Sequence, residues 1–177
     1  IHCNFMLGFP GETAGEIIQT FNLAMQLKVD WCQFAVVQAL PNTRMWDQFV
    51  ELNDPRVHKP NKYSPASAAK LEGISIDEMG LNVGDIYLFP EDKVLDLNEL
   101  YDIWYPINTA VNFLNNYNIV SNTANIWKLI NFLNALHDAY PLDPIMLLTL
   151  SKCYDIEKNN EKRDQYKVLA KEIIKKH

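Results

Sequence analysis

Leu-Gly-Phe-Pro-Gly-Glu-Thr, residues 7–13, directly follows the apolar residues Phe5 and Met6. Two glycines and a proline after an apolar run predict the end of a strand and a tight turn. Thr13 and Glu16 have the spacing of a capping box, so a helix is expected to begin there. A strand that turns through glycine into a helix brings bare backbone close to a bound small molecule.

The residues around this stretch predict a β-α-β-α unit. His2–Leu7 is a short apolar strand, and apolar residues at helical spacing continue the helix to Lys28. Trp31–Ala39 is an almost continuous apolar run, which is typical of a strand in a buried parallel sheet. A strand, a helix and a strand in about forty residues favour a right-handed crossover. A second helix is predicted over 45–52.

The remainder of the chain divides into an irregular part and a helical part. Prolines and glycines interrupt residues 53–95, where short helical turns are predicted at 65–71 and 76–79. Residues 96–177 read as a helical bundle, in which Pro106 is expected to kink or end the first helix and Asp143-Pro144 to begin a later one. The sequence thus predicts an α/β class followed by an all-α part, with domains at 1–52, 53–95 and 96–177.

Composition restricts the classes of function. The chain has 177 residues, 48% of them hydrophobic, and a formal net charge of -6, which argues against a general nucleic-acid binder. No apolar run approaches the roughly 18–20 residues that span a membrane. The three cysteines, Cys3, Cys32 and Cys153, are odd in number and far apart, which favours reduced thiols and a cytoplasmic location.

Two linked motifs carry a family resemblance. Asn-Phe-Met-Leu-Gly-Phe-Pro-Gly-Glu-Thr at 4–13 resembles the fifth strand and following turn of radical S-adenosylmethionine enzymes. It is most similar to their cobalamin-dependent and methylthiotransferase-like branches. Val29–Trp46 resembles the sixth strand of that fold and its ending, with Asn42 at a position where the family commonly has glycine. Asn tolerates a left-handed conformation, so the turn is expected to persist.

The resemblance implies the end of a partial (β/α)₆ barrel. It implies S-adenosylmethionine and a [4Fe–4S] cluster as cofactors of the full-length protein, and it leaves cobalamin dependence open. The family's cluster is held by a Cys-x-x-x-Cys-x-x-Cys loop near the first strand, and none of the three cysteines has that spacing. We therefore expect a missing N-terminal part of the same protein to supply the cluster, and we expect this chain to be inactive without it.

The resemblance also implies a set of cofactor-binding residues. These are Asn4, Gly8, Phe9, Pro10, Gly11, Gln38, Ala39 and Leu40. The side chain of Asn4 would meet the ribose, the two glycines would let the backbone pass the nucleoside, and the backbone of 38–40 would meet the adenine edge. The helical domain would cover the barrel or position the substrate, which the sequence does not name. No catalytic residue and no metal ligand is predicted within the chain.

Simpler interpretations remain open at several of these places. Gly-Phe-Pro-Gly-Glu-Thr has the composition of an ordinary strand-to-helix turn, and Glu12 has the position of a first-turn acid beside a helix N-terminus. Residues 143–175 loosely resemble a tetratricopeptide helix pair, although a generic helical hairpin fits as well. The alternative function is a non-catalytic module whose helical bundle binds another protein.

Overall fold

In a computed structural model, the chain is described at residues 1–57, 89–121, 125–139 and 141–176. The strands are β1 (His2–Leu7) and β2 (Trp31–Val36). The helices in chain order are α1 (Ala14–Gln26), α2 (Arg44–Glu51), α3 (Leu97–Thr109), α4 (Tyr117–Val120), α5 (Ile126–Ala139), α6 (Pro144–Ile156) and α7 (Asn160–Lys176). A 3₁₀ turn at Pro55–Val57 follows α2, and a π-helical segment at Ala110–Leu114 follows α3.

This element order confirms the coarse fold prediction, a mixed α/β beginning and a mostly helical C-terminal part. β1 has the predicted bounds, and the Thr13–Glu16 capping box forms as expected. The Thr13 N–H donates to the Glu16 carboxylate over 2.8 Å, and the Glu16 N–H donates to Thr13 Oγ1 over 3.3 Å. The helical turns predicted at 65–71 and 76–79 lie outside the described residues.

Of the two outcomes expected at Pro106, a kink or an end of the helix, the end does not occur. α3 continues through Pro106 to Thr109 and then widens into the π-helical segment. Pro106 is buried, and its neighbours Ile103 and Ile107 are core residues. Packing of this buried face therefore holds the helix together despite the hydrogen bond that proline cannot donate.

Two compact units make up the chain. The α/β unit comprises Asn4–Ala24 and Gln33–Ile107, and the helical unit comprises Ile1–Cys3, Met25–Cys32 and Asn108–His177. Fully buried side chains of the α/β unit include those of Leu7, Ile17, Phe34, Phe49 and Leu100. The domain limits predicted from sequence stay a prediction.

The helical unit has its own aromatic and aliphatic core. Trp31 packs with Phe113 and Phe132, whose ring centroids lie 5.5 and 4.5 Å from the Trp31 ring. The α5 and α6 side chains of the same cluster include Leu133 and Leu150, both fully buried. α6 begins where Asp143-Pro144 predicts, because the Asp143 carboxylate accepts from two backbone N–H groups of the first turn.

β1 and β2 form a two-stranded parallel sheet. The Asp30 N–H donates to the Ile1 carbonyl over 2.9 Å, and the Val37 N–H donates to the Leu7 carbonyl over 2.8 Å. The two sequence numbers rise together from one bonded pair to the next, so the strands run in the same direction. Their carboxyl ends therefore lie at one edge of the sheet.

The other edge of β2 is closed by side chains instead of a third strand. The Cys32 N–H donates to Asn112 Oδ1 over 2.8 Å, and Asn112 Nδ2 donates back to the Cys32 carbonyl over 2.6 Å. Two residues further along, the Phe34 carbonyl accepts from Trp104 Nε1 over 2.8 Å. Asn112 is 1% exposed, so water does not compete for these bonds. Both backbone groups of Cys32 and the carbonyl of Phe34 are thus already occupied on this edge.

Other asparagines of the helical unit satisfy the backbone that leads into β2. Asn115 Nδ2 donates to the Met25 carbonyl, and Asn116 Nδ2 donates to the Asp30 carbonyl, each over 3.0 Å. These side chains thereby fix the turn between α1 and β2, in keeping with the rule that buried backbone groups are paired.

β1 is open by comparison. Within the part of the chain that the structure describes, β2 is the one strand that pairs with β1. Asn4 and the apolar Met6, which is 54% exposed, lie on the same face of β1. Parallel sheets are normally covered on both faces, whereas the described residues leave this face of β1 exposed at Asn4 and Met6.

A search of the described helices finds none that is long and apolar enough to cross a membrane.

We expect Asn112→Ala to lower the free energy of unfolding by about 2–4 kcal/mol, because both backbone groups of Cys32 would be left buried without a partner. Asn22→Ala is the matched control, since Asn22 is exposed on α1. Urea denaturation of both variants measures the difference. Equal losses for the two would show that the Asn112 bonds do not hold the strand.

Candidate ligand-binding site

The candidate site is built from the two chain segments that leave the carboxyl ends of β1 and β2. Segment one is residues 8–13 and segment two is residues 37–43; both belong to the α/β unit. In parallel sheets, ligands bind outside the carboxyl ends of the strands, where such segments separate. The predicted site residues after the strands therefore lie where a ligand is expected.

Segment one is a β-turn with two left-handed glycines. The Glu12 N–H donates to the Phe9 carbonyl over 2.9 Å, with Pro10 and Gly11 in the central positions. Gly11 has φ 78° and Gly8 has φ 82°. Proline followed by a residue with positive φ is the pattern of a type II turn, which explains the order of these residues.

Glu12 folds back over its own turn. Its carboxylate accepts from the Gly8 N–H and, over 3.1 Å, from the Phe9 N–H. Burial raises the pKa of the Glu12 carboxyl, and these two backbone hydrogen bonds lower it in part. Glu12 thus stabilises the glycine turn, two residues before α1 begins at Ala14.

Arg56 joins the ends of the two strands. Its Nη1 donates to the Gly8 carbonyl over 2.7 Å and to the Val37 carbonyl over 3.1 Å. Asp54 holds the guanidinium, accepting from Nε over 2.8 Å and from Nη2 over 2.7 Å. The Phe49 ring lies under the guanidinium at 4.1 Å. Both strand ends are therefore bonded to one cation.

The charge of this pair is balanced within the site. Burial by itself would raise the pKa of the Asp54 carboxyl, but hydrogen bonds from the Arg56 side chain and backbone outweigh it and lower the pKa below its ordinary value. Asp54 is therefore ionised at neutral pH and matches the guanidinium charge. Neither Asp54 nor Arg56 is predicted from the sequence, because Asp-Pro-Arg at the start of an irregular connector does not indicate a binding site.

Segment two turns into α2 through Asn42 and Thr43. Asn42 has φ 65°, which confirms the expectation that asparagine accepts the left-handed position here. Thr43 Oγ1 donates to the Leu40 carbonyl over 2.7 Å and accepts from the Trp46 N–H over 3.1 Å. The same hydroxyl thus closes the turn and caps the N-terminus of α2.

The predicted site residues differ in how much surface they present. The exposed ones are Asn4, Phe9, Gly11, Gln38 and Leu40, with Pro10 partly buried. Gly8 and Ala39 are buried, Ala39 in a small core with Val37 and Phe49. These two residues can offer a ligand only backbone atoms. The binding role of the whole set stays a prediction.

The cysteines do not fit a [4Fe–4S] cluster. Cys32 and Cys153 are fully buried, and burial raises the pKa of the Cys32 thiol to about 11 and that of Cys153 to about 12. Cluster ligands are thiolates held close together. Among the described residues, no three His, Cys, Asp or Glu side chains are placed to hold a metal ion.

Comparison with known proteins gives one partial similarity. A protein of Pyrococcus horikoshii, described as an uncharacterized methyltransferase, is 36% identical over 50 residues, which are 28% of this chain and 11% of that protein. The match thus spans about a tenth of the relative's length. No family model matches the chain. No solved structure matches it.

Gly8 and Gly11 are expected to respond differently to substitution by alanine. A Cβ at Gly8 would lie 2.6 Å from Leu100 Cδ1 in the core, whereas at Gly11 it would meet nothing within 4 Å. Gly8→Ala combines backbone strain with overpacking and should lower stability by about 2–4 kcal/mol. Gly11→Ala adds strain alone, about 1–2 kcal/mol. Urea denaturation checks the order, and a larger loss at Gly11 would contradict it.

Alkylation should distinguish the three thiols. Cys3 is partly exposed, while Cys32 and Cys153 are buried with raised pKa values. Because the thiolate is the reacting form, iodoacetamide at about pH 8 should modify Cys3 well before the other two. Peptide mass spectrometry of the native and the urea-denatured protein gives the order. Rapid native labelling of Cys32 or Cys153 would show that the fold leaves them accessible.

Proposed function

We propose that this chain forms the end of the barrel of a radical S-adenosylmethionine enzyme and supplies part of the cofactor's nucleoside pocket. The observation that carries the proposal is the Arg56 bridge, which keeps segments one and two side by side at the carboxyl edge of a parallel sheet. The two segments are also the two motifs that resemble the family, in the same order along the chain.

The edges of the sheet support the position within a barrel. Asn112 and Trp104 close the outer edge of β2, so β2 suits the last strand of an open barrel. β1 pairs on one edge within the described residues and exposes Asn4 and Met6 on one face. A parallel strand beside β1, from another part of the full-length protein, would pair with the edge of β1 that β2 does not occupy.

The similarity to a methyltransferase of Pyrococcus horikoshii agrees with this class of cofactor. S-adenosylmethionine carries an activated methyl group and, on reductive cleavage, yields a deoxyadenosyl radical. A function related to this cofactor is the most that the similarity supports by itself. Cobalamin dependence, the reaction type and the substrate stay predictions for the full-length protein.

The residues of the site would bind and orient the cofactor. The exposed amide of Asn4 offers both a donor and an acceptor to a ribose hydroxyl. Gly11 leaves open space beside its backbone, which lets a flat ring approach the turn. Phe9 and Leu40, both exposed, would cover the ligand's apolar faces and exclude water. The backbone of 38–40 would read the adenine edge.

No step of the reaction is assigned to a cluster bound here, since the cysteines present do not fit one. In the proposed enzyme, the cluster ligands lie in another part of the protein. The role expected for the helical domain at 96–177, a lid or a substrate-positioning domain, stays a prediction. A gene that encodes no Cys-x-x-x-Cys-x-x-Cys elsewhere in the same protein would refute this proposal.

The direct test is binding of S-adenosylmethionine to the full-length protein by equilibrium dialysis. Asn4→Ala should weaken binding by about fivefold, the value of one lost hydrogen bond near 1 kcal/mol. Asn22→Ala, a change at an exposed asparagine of α1, should leave the affinity unchanged. Absence of binding by the unaltered protein would favour the alternative, a non-catalytic module whose helical bundle binds another protein.

A further inference from the structure

Arg56 is largely buried at the carboxyl edge of the sheet. Its side chain is 10% exposed and that of its partner Asp54 is 17% exposed. Two carbonyls and one carboxylate accept from the same guanidinium. A rigid planar fork of this kind fixes directions as well as distances.

Backbone hydrogen bonds hold Asp54, the residue that binds the guanidinium, in place. The Asp54 N–H donates to the Phe49 carbonyl over 2.9 Å, and the Arg56 N–H donates to Asp54 Oδ1, also over 2.9 Å. Phe49 is fully buried in the small core that includes Val37 and Ala39. The position of Arg56 is thus set by the folded end of α2 and does not depend on a ligand.

The Gly8 peptide is held from both sides. Its N–H donates to the Glu12 carboxylate and its carbonyl accepts from Arg56. On segment two, the Val37 carbonyl accepts from the same Nη1, one residue before the exposed Gln38. Arg56 therefore joins segment one to segment two in addition to the sheet bond from the Val37 N–H to the Leu7 carbonyl.

We propose that Arg56, held by Asp54, is a positioning residue that sets the spacing between the two ligand-facing segments of the site. This inference rests on the proposed function for its ligand, S-adenosylmethionine, and on the described contacts for its geometry. As a positioning residue, Arg56 does not touch the ligand. It keeps the glycine turn and the backbone of 38–40 in register, so that both can meet one ligand at once.

The test compares Arg56→Gln and Arg56→Lys with the unaltered full-length protein. Arg44→Gln is the matched control, because Arg44 is exposed at the start of α2 and loses the same charge. Both Arg56 variants should weaken S-adenosylmethionine binding about 10- to 100-fold, as misplaced binding groups do. Lys should not restore affinity, since one ammonium cannot reproduce the fork. Affinities are measured at a temperature where circular dichroism shows each variant folded.

A second readout reports the geometry without any ligand. In this sequence Gly-Phe occurs once, at 8–9, and Val-Gln occurs once, at 37–38. Labelling glycine and valine carbonyls with ¹³C, and phenylalanine and glutamine amides with ¹⁵N, therefore selects the two carbonyls that Arg56 contacts. Both signals should move upfield in Arg56→Gln, because a carbonyl that loses its donor is less polarised. Both should stay in place in Arg44→Gln.

The two readouts separate this inference from the proposed function. Shifted carbonyl signals with weakened binding support the positioning role, and unchanged affinity in folded Arg56→Gln overturns it. If the unaltered protein binds no S-adenosylmethionine, the proposed function fails, and the carbonyl signals alone decide about Arg56. Signals that do not move in Arg56→Gln would show that the guanidinium does not hold the strand ends.

Discussion

The pairing of Asn112 with both backbone groups of Cys32 is the contact on which the rest of the sheet depends. A primary amide presents one donor and one acceptor in the same geometry as a peptide unit, so it can stand in for a neighbouring strand. The pair is buried. A backbone group left there without a hydrogen bond would cost stability, and the bonds that do form favour one arrangement of the strand. With this edge closed, β2 can be a last strand, and its carboxyl end is free to turn outward into the site.

Local signals in the sequence were sufficient to predict the starts of α1 and α6. The capping box at Thr13 and the Asp143-Pro144 helix start are short-range devices, and both formed as predicted. Pro106 shows the limit of such signals. Its local preference is to end a helix, yet burial of Ile103 and Ile107 on the same helix outweighs that preference, and no reading of residues 104–108 alone reveals the burial.

The candidate site also has features that the sequence predicts and features that it does not. Positive φ at Gly8, Gly11 and Asn42 could be expected from residue type, because few other residues accept that conformation. The bridge from Arg56 to Gly8 joins residues 48 positions apart. An arginine in a proline-containing stretch has many possible partners, and only the fold selects the two carbonyls that it contacts. The turns can thus be predicted from the sequence, whereas the Arg56 contact that joins them cannot.

The side-chain closure of β2 has an evolutionary consequence. A strand edge that is covered by another strand is protected by many backbone bonds, and point mutations rarely remove them. The edge of β2 at Cys32 is protected by one amide group, so a single codon change at Asn112 would leave the buried N–H and carbonyl of Cys32 without a partner. We therefore expect this one position of the π-helical segment to tolerate few substitutions, even though it lies far from the candidate site in the sequence.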